Sequence, residues 1–305
     1  MGTLRAAIER QTAHALACGA LHRIETAHTF IDDGGVRFTV RVAENLARKE
    51  AARLTPPVSM GSEVPPPRNP FLPYEPDLFV ADLSPTHVAL LNKFNVIDQH
   101  LLIVTRRYEP QEALLDAADF TALIAALREI DGLGFYNGGA AAGASQPHKH
   151  LQLVPLPLVG NMPPDAPREA PIEALFSGAQ AVHGARPIAI VPGLAFHHAF
   201  ARLDSGSGSP GEAARVALDC YRALLDAAGV PAVEVGGVAH QGAPYNLLVT
   251  RRWMLVVPRS AECVEGISIN SLGFAGSFFV RDAAHFQTLA QIGPMRALER
   301  VSLAR

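Results

Sequence analysis

The pattern of apolar and polar residues predicts helices and strands that do not follow a regular βαβ order. Helical periodicity marks residues 3–18, 116–130 and 210–229, and a further helix is predicted to begin at Asp282. Period-two or apolar runs predict strands at 36–42, 78–83, 87–91, 100–105, 148–154, 232–238, 245–250, 253–257, 267–270 and 276–281. Because strands outnumber helices, we predict an α+β fold with a mostly antiparallel sheet and flanking helices.

Two long proline-rich segments interrupt this pattern. Residues 55–77 hold eight prolines and residues 155–171 hold six. Proline donates no backbone hydrogen bond, so both segments are predicted to be extended excursions rather than helices or inner strands. Strands of similar character follow each segment. We therefore predict one composite domain over 1–305, built from a part at 1–159 and a part at 160–305.

Composition then narrows the classes of function. Lys and Arg number 26 and Asp and Glu number 29, a formal charge of −3, which argues against a general nucleic-acid-binding protein. The three cysteines are far apart and form no CxxC motif, which favours a reduced cytoplasm over a disulfide framework. Apolar stretches are short, so no membrane span is expected. We expect a cytoplasmic protein that binds neither nucleic acid nor membrane.

The clearest candidate chemistry lies on the predicted strand at 148–154. The two-residue period of a strand places His148, His150 and Gln152 on one face. The glycine-rich segment 137–147 precedes them and would let backbone N–H groups approach an anion closely. Imidazoles beside such a loop favour phosphate chemistry. Two alternatives stay open, because His-x-His is also a metal-ligand spacing and paired histidines are often hydrogen-bonded core residues.

A longer match gives this strand a family context. The run NGGAAAGASQPHKHLQLVPLP at 137–157 resembles the active-site signature of the diadenosine tetraphosphate phosphorylases (ATP adenylyltransferases). This family belongs to the histidine-triad and galactose-1-phosphate uridylyltransferase superfamily. Further blocks resemble it in order at 69–71, 87–96, 100–105, 245–250, 253–254, 257–260 and 270–276. The similarity spans about 36–281 and implies a histidine-triad-like fold whose part at 160–305 completes the nucleotide site.

The resemblance also implies a reaction. His150 would attack the α-phosphorus of a dinucleoside polyphosphate and form a nucleotidyl-histidine, with ATP as the first leaving group. Inorganic phosphate would then take the nucleotide and leave as ADP. A neutral imidazole is a competent nucleophile near pH 7. Gln152 would donate to a phosphoryl oxygen or to the bridging oxygen, and His148 would position or polarise the phosphates.

The residues that would bind substrate follow from the same resemblance. They are Lys49, Asn92, Lys93, Asn137, Gly143, Ala144, Ser145, Gln146, Asn270, Ser271, Leu272, Ser277 and Arg281. Two of these residues depart from the family pattern. Ser or Asn is usual where this chain has Gln146, and Lys is usual where it has Arg281.

No tightly bound cofactor and no protein-held metal are expected, and Mg²⁺ would come only with the polyphosphate. The alternative functions are a sugar-nucleotide or other nucleotidyl transferase of the same superfamily, and a noncatalytic nucleotide-binding or metal-binding module.

Overall fold

The computed structural model describes residues 3–43, 69–159, 168–181, 188–204 and 208–305. Its strands are β1 Thr26–Asp33, β2 Val36–Ala43, β3 Phe79–Asp82, β4 His87–Leu91, β5 Leu101–Thr105, β6 Gly132–Gly138, β7 His150–Pro155, β8 Gln180–Ala181, β9 Ile188–Ile190, β10 Ala199–Arg202, β11 Ala232–Val235, β12 Val238–Gln241, β13 Tyr245–Val249, β14 Trp253–Pro258, β15 Cys263–Val264, β16 Ile267–Ser268 and β17 Ser277–Val280. Its α-helices are α1 Leu4–Cys18, α2 Ala117–Glu129, α3 Pro210–Ala227, α4 Ser271–Phe274, α5 Ala283–Ile292 and α6 Pro294–Val301.

A ten-stranded antiparallel sheet joins the two parts of the chain, in the order β3-β4-β5-β7-β6-β13-β14-β10-β9-β8. The strand order is symmetric about the pair formed by β6 and β13. Moving outward from this pair, the order is β6-β7-β5 on one side and β13-β14-β10 on the other. A helix follows the corresponding strand on each side, α2 after β5 and α3 after β10. The fold is thus α+β with a mostly antiparallel sheet, as the sequence predicts.

Two apolar cores cover the faces of this sheet. Helices α1, α2 and α3 pack on one face, where they bury Leu151 and Leu153 of β7. The other face packs against β2, β17 and the C-terminal helices. The leucines of β7 therefore pack against the helices. Gln152, two residues after His150, lies on the face of the sheet that points away from these helices.

A small second sheet brings the two ends of the chain together. Strands β1 and β2 form a hairpin, and β17 pairs with β2 in parallel. Strand β1 was not predicted from the sequence. Through this parallel pair, the segment that follows β16 lies beside the N-terminal part of the chain. Residues of the two parts line one cavity.

Three helix starts follow the capping residues in the sequence. Thr3 and Ser209 cap α1 and α3, and Glu212 completes the capping box of α3. Asp116 caps α2 with a reciprocal bond through Asp119. No helix within the described ranges has both the length and the apolarity that a membrane span requires.

Two strand predictions were wrong in detail. The predicted strand at 232–238 is the hairpin of β11 and β12, because Gly236 and Gly237 both adopt positive φ and form a tight turn. The predicted strand at 267–270 ends at Ser268. Asn270 there caps helix α4, and its side chain accepts a hydrogen bond from Leu272 N.

Candidate active site

His148 is held as a neutral imidazole just before β7. Its Nε2–H donates to the backbone oxygen of Thr105 at 2.9 Å, and its Nδ1 accepts from the Asn69 side-chain amide at 3.0 Å. Burial lowers the pKa of His148 below its usual value. Both ring nitrogens are therefore engaged. The backbone oxygen of His148 accepts a hydrogen bond from His150.

His150 is a buried imidazole with one fixed tautomer. Its Nδ1 donates to the backbone oxygen of His148 at 2.8 Å, which leaves Nε2 with its lone pair. Burial lowers the pKa of His150 to about 4, so the ring is neutral at pH 7. Among the described residues, no group hydrogen-bonds to Nε2. The ring of Phe71 covers His150 with centroids 5.3 Å apart, and the residue is 3 % exposed.

This arrangement argues against a metal chelated by the His-x-His pair. Two ligand nitrogens would have to face one ion, and both nitrogens of His148 are already hydrogen-bonded. Within the described residues, one group with metal-ligand proximity is found elsewhere, at the exposed residues His14, Cys18 and Asp77. There His14 is hydrogen-bonded to Asp77 at 2.8 Å.

A chain of hydrogen bonds orients Gln152. The Phe94 backbone N–H donates to Asn92 Oδ1 at 3.3 Å, so the Asn92 amide nitrogen faces His100 Nδ1 at 3.2 Å. His100 Nε2–H then donates to Gln152 Oε1 at 2.8 Å. Burial lowers the pKa of His100 to about 4, so this ring is also neutral. With its oxygen occupied, Gln152 offers its N–H₂ group as the donor.

Sequence reasoning did not single out His100. It stood only inside a matching block, 100–105, and its partner Gln152 lies more than fifty residues away. Leu102 of β5 pairs with Gln152 of β7, and His100 lies two residues before Leu102 on the same face. A knowledge of the β5–β7 register would have placed the two side chains together, but the sequence does not state that register.

Gln152, His100 and Asn92 line a cavity of about 490 Å³. Nine of the predicted site residues line this cavity: Asn92, Asn137, Gly143, Ser145, Gln152, Asn270, Leu272, Ser277 and Arg281. None of the described residues in its lining is acidic. Arg281 brings a positive charge to the cavity, and its Nη2 donates to His285 Nε2 at 3.0 Å. The cavity therefore suits an anionic ligand.

The C-terminal part fixes Asn137 in this cavity. Asn137 Oδ1 accepts from the Ser271 backbone N–H at 3.1 Å, from Ser271 Oγ at 2.7 Å and from Asn246 Nδ2 at 2.9 Å. Asn246 lies directly opposite Asn137 in the β6–β13 pair. Because the oxygen of Asn137 is occupied, the amide N–H₂ group is the part that Asn137 can offer to a ligand.

The glycine-rich loop approaches the C-terminal part at Gly143. Gly143 adopts φ of 87°, and a Cβ atom there would stand 2.8 Å from Asn270 Cβ. Only glycine allows this conformation and this close approach together. The loop thus brings Ser145 to the same cavity as Asn270.

Several predicted residues do not line the cavity. Ser271 is fully buried and acts by holding Asn137. Lys93 pairs with Glu75 at 2.5 Å. The remaining residues outside the lining are His148, His150, Ala144 and Gln146. Lys49 lies outside the described residues. Substrate contacts by all of these residues stay predictions.

A buried charge pair lies on the side of the sheet opposite His150, at the start of β7. Lys149 Nζ lies 2.6 Å from Asp119 Oδ2 and also donates to Leu114 O at 3.1 Å. Burial alone raises the pKa of Asp119, but hydrogen bonding from His87 and the charge of Lys149 hold it below its usual value. The pair attaches β7 to α2 directly beside His150.

The chain is an α+β protein whose large antiparallel sheet carries a His-x-His-x-Gln motif at the start of β7. Residues 1–178 match the model of the Ap4A phosphorylase N-terminal domain, and residues 192–304 match that of the ATP adenylyltransferase C-terminal domain. The chain therefore belongs to the Ap4A phosphorylase family.

Two curated relatives and one solved structure that the chain resembles come from yeast. Diadenosine 5',5'''-P1,P4-tetraphosphate phosphorylase 2 of Saccharomyces cerevisiae is 27 % identical over 222 residues, and Protein APA1 of the same organism is 26 % identical over 215 residues. These alignments span 66 % of this chain and 64 % of each relative. The crystal structure of yeast Ap4A phosphorylase Apa2 has a TM-score of 0.77 at 23 % identity, covering 100 % of this chain and 95 % of Apa2. Its complex with Ap4A has a TM-score of 0.72 at 21 % identity, covering 100 % and 98 %. These likenesses establish the fold.

Proposed function

We propose that this protein is a nucleotidyltransferase that cleaves diadenosine tetraphosphate with inorganic phosphate, giving ATP and ADP through a nucleotidyl-His150 intermediate. The observation that carries the proposal is the neutral, single-tautomer imidazole of His150. Its Nδ1–H is bound to the His148 oxygen at 2.8 Å, and its pKa is lowered to about 4. The relatives named for Ap4A phosphorolysis support the choice of substrate.

The first step transfers the adenylyl group to the protein. The Nε2 lone pair of His150 attacks the α-phosphorus, the P–N bond forms, and the bond from phosphorus to the bridging oxygen breaks to release ATP. The ring becomes cationic during the attack. The hydrogen bond from Nδ1–H to the His148 oxygen stabilises this charge because a carbonyl accepts more strongly from a cationic donor.

The second step returns the nucleotide to phosphate. An oxygen of inorganic phosphate attacks the phosphorus, the P–N bond breaks, ADP leaves, and His150 regains its neutral form. Gln152 donates to a phosphoryl oxygen in both steps. Because its amide has no titrating proton, Gln152 does not deprotonate water, which favours phosphate over water as the acceptor.

The proposal extends to the setting of this reaction. Mg²⁺ accompanies the polyphosphate as part of the substrate. The chain acts as one composite domain over 1–305, supported by the ten-stranded sheet that runs through both parts. The cytoplasm is the proposed compartment, supported by the fact that Cys18, Cys220 and Cys263 form no disulfide.

The test is a product analysis with and without phosphate. Diadenosine tetraphosphate is incubated with the protein, and the nucleotides are separated by chromatography. ATP and ADP are expected to accumulate in equal amounts only when phosphate is present. Equal product formation in phosphate-free buffer would refute phosphorolysis, and turnover of a UDP-sugar in preference to the dinucleotide would favour a sugar-nucleotide transferase.

His198 provides a matched control for the nucleophile. Like His150 it is buried, its Nδ1 donates to the backbone oxygen two residues earlier, and its pKa is lowered to about 4, mainly by burial. Its Nε2, however, accepts the Val191 backbone N–H at 2.8 Å. His150→Asn is therefore expected to abolish turnover, whereas a folded His198→Asn protein is expected to retain it.

A further inference from the structure

A second cavity adjoins the one that holds Gln152. It has a volume of about 400 Å³. Ile24, Arg41, Val96 and Ile97 line both cavities, so the two are neighbours that share a wall. The sequence analysis assigned no residue of this second cavity.

Of the described residues in that shared wall, Arg41 is the charged one. It lies on β2 and is 7 % exposed. Its Nη2 donates to the backbone oxygen of Leu158, while its buried Nε has no hydrogen-bond partner among the described residues. Burial lowers the pKa of Arg41, and the charge of Asp98 only partly offsets this effect. A buried guanidinium without full pairing is costly in free energy unless a ligand supplies the missing acceptors.

The charges of the two cavities differ on either side of Arg41. The larger cavity contains Arg281 and none of its described lining residues is acidic, which suits phosphates. The smaller cavity is lined by the carboxylates of Glu25 and Asp98, by His28 and by Arg23, whose Nε pairs with Asp98 Oδ1 at 3.2 Å. Carboxylates repel phosphate but accept hydrogen bonds from ribose hydroxyls, and an imidazole can pack against a base.

We propose that Arg41 binds the phosphates of the departing half of the dinucleotide and that the second cavity receives the nucleoside at its end. This inference rests on the proposed function. It assigns the adenylyl half to the cavity of Gln152 and the nucleoside triphosphate half to the path across Arg41. It also supplies a cation for the polyphosphate from within the described residues, whereas Lys49, which the family resemblance marks as substrate-binding, lies outside them.

The test is direct binding, measured by isothermal titration calorimetry with AMP, ATP and inorganic tripolyphosphate. Arg41→Met is expected to weaken ATP and tripolyphosphate by about 10- to 100-fold, the worth of a charged hydrogen-bonding partner, and AMP by less than about threefold. Arg37→Met is the control, because Arg37 is an exposed residue of the same strand. It is expected to leave all three affinities unchanged. Glu25→Gln is expected to weaken ATP but not tripolyphosphate, because Glu25 is the carboxylate assigned to the ribose and Asp98 is paired with Arg23.

Each other outcome bears on one part of the inference. Unchanged ATP binding by Arg41→Met would overturn it, and an equal loss of AMP and ATP affinity would assign Arg41 a structural role instead. If Arg41→Met does not fold, Arg41→Lys answers the same question, since a point charge without the guanidinium fork should weaken ATP selectively. An unaltered protein that binds ATP but does not cleave the dinucleotide would overturn the proposed function and leave the subsite standing.

Discussion

The lowered pKa of His150 predicts an unusual pH dependence for the first step of the reaction. At pH 5.5 an imidazole with the ordinary pKa of 6.5 is about 9 % neutral, whereas one with a pKa of about 4 is about 97 % neutral. His100, which orients Gln152, also has a pKa of about 4. The rate of adenylyl transfer should therefore stay nearly constant from pH 7.5 to 5.5, where an ordinary histidine would lose about tenfold.

The assay measures the burst of ATP released in phosphate-free buffer. Leaving phosphate out isolates the first step and removes the titration of phosphate itself. The internal phosphates of the dinucleotide carry no weakly acidic proton in this range, so the substrate does not change charge. The burst rate constant is measured by rapid quench at each pH, and samples held at pH 5.5 are returned to pH 7.5 to show that the protein has not unfolded.

An acid limb with a midpoint near pH 6.5 would refute the reasoning, because it would show that the His150 ring is solvated during attack. The same lowered pKa has a consequence for stability. The unfolded chain takes up a proton near pH 6.5 and the folded chain does not until about pH 4, so the free energy of unfolding falls with decreasing pH in that window.

The remaining predictions concern the supports of the site. Asp119→Asn removes the nearer of two carboxylates that pair with the buried Lys149, at 2.6 Å, and leaves the more exposed Glu109 at 3.1 Å. The free energy of unfolding measured in urea should therefore fall by about 3 kcal/mol, the lower end of the range for breaking a buried pair, whereas the exposed Asp82→Asn should change it by less than about 1 kcal/mol. Equal effects would contradict the assigned burial. Gly143→Ala forces a Cβ to 2.8 Å from Asn270 Cβ at φ of 87°, so it should cost about 1–3 kcal/mol in thermal denaturation and raise the KM for the dinucleotide. An unchanged KM would show that the loop does not contact substrate.

Local signals in the sequence were sufficient for much of the fold. The caps at Thr3 and Ser209 fixed the starts of two helices because a side-chain oxygen near the first free N–H groups is a local interaction. The alternation that places His150 and Gln152 on one face of the strand places Leu151 and Leu153 on the other, where both are buried. Strand β1 was missed because its burial is irregular and it gains its partner only through the hairpin with β2.

The site could be predicted only as far as the motif and the family resemblance reached. Asn137 and Ser271 were both named, but their direct contact depends on a pairing across more than 130 residues. His100 and Arg41 carried no local signal of function. The role of each arises from burial beside a distant partner, Gln152 for one and the Leu158 backbone for the other. Such roles depend on tertiary register, which sequence periodicity does not encode.

The most direct test of the central claim is mass spectrometry. The protein is mixed with diadenosine tetraphosphate in the absence of phosphate, and the reaction is quenched without acid so that the P–N bond is preserved. The account predicts one adenylate added to the peptide that carries His150, lost on addition of phosphate with the appearance of ADP, and absent from His150→Asn. An unmodified His150 peptide during a burst of ATP, or an adenylate on any other residue, would contradict it.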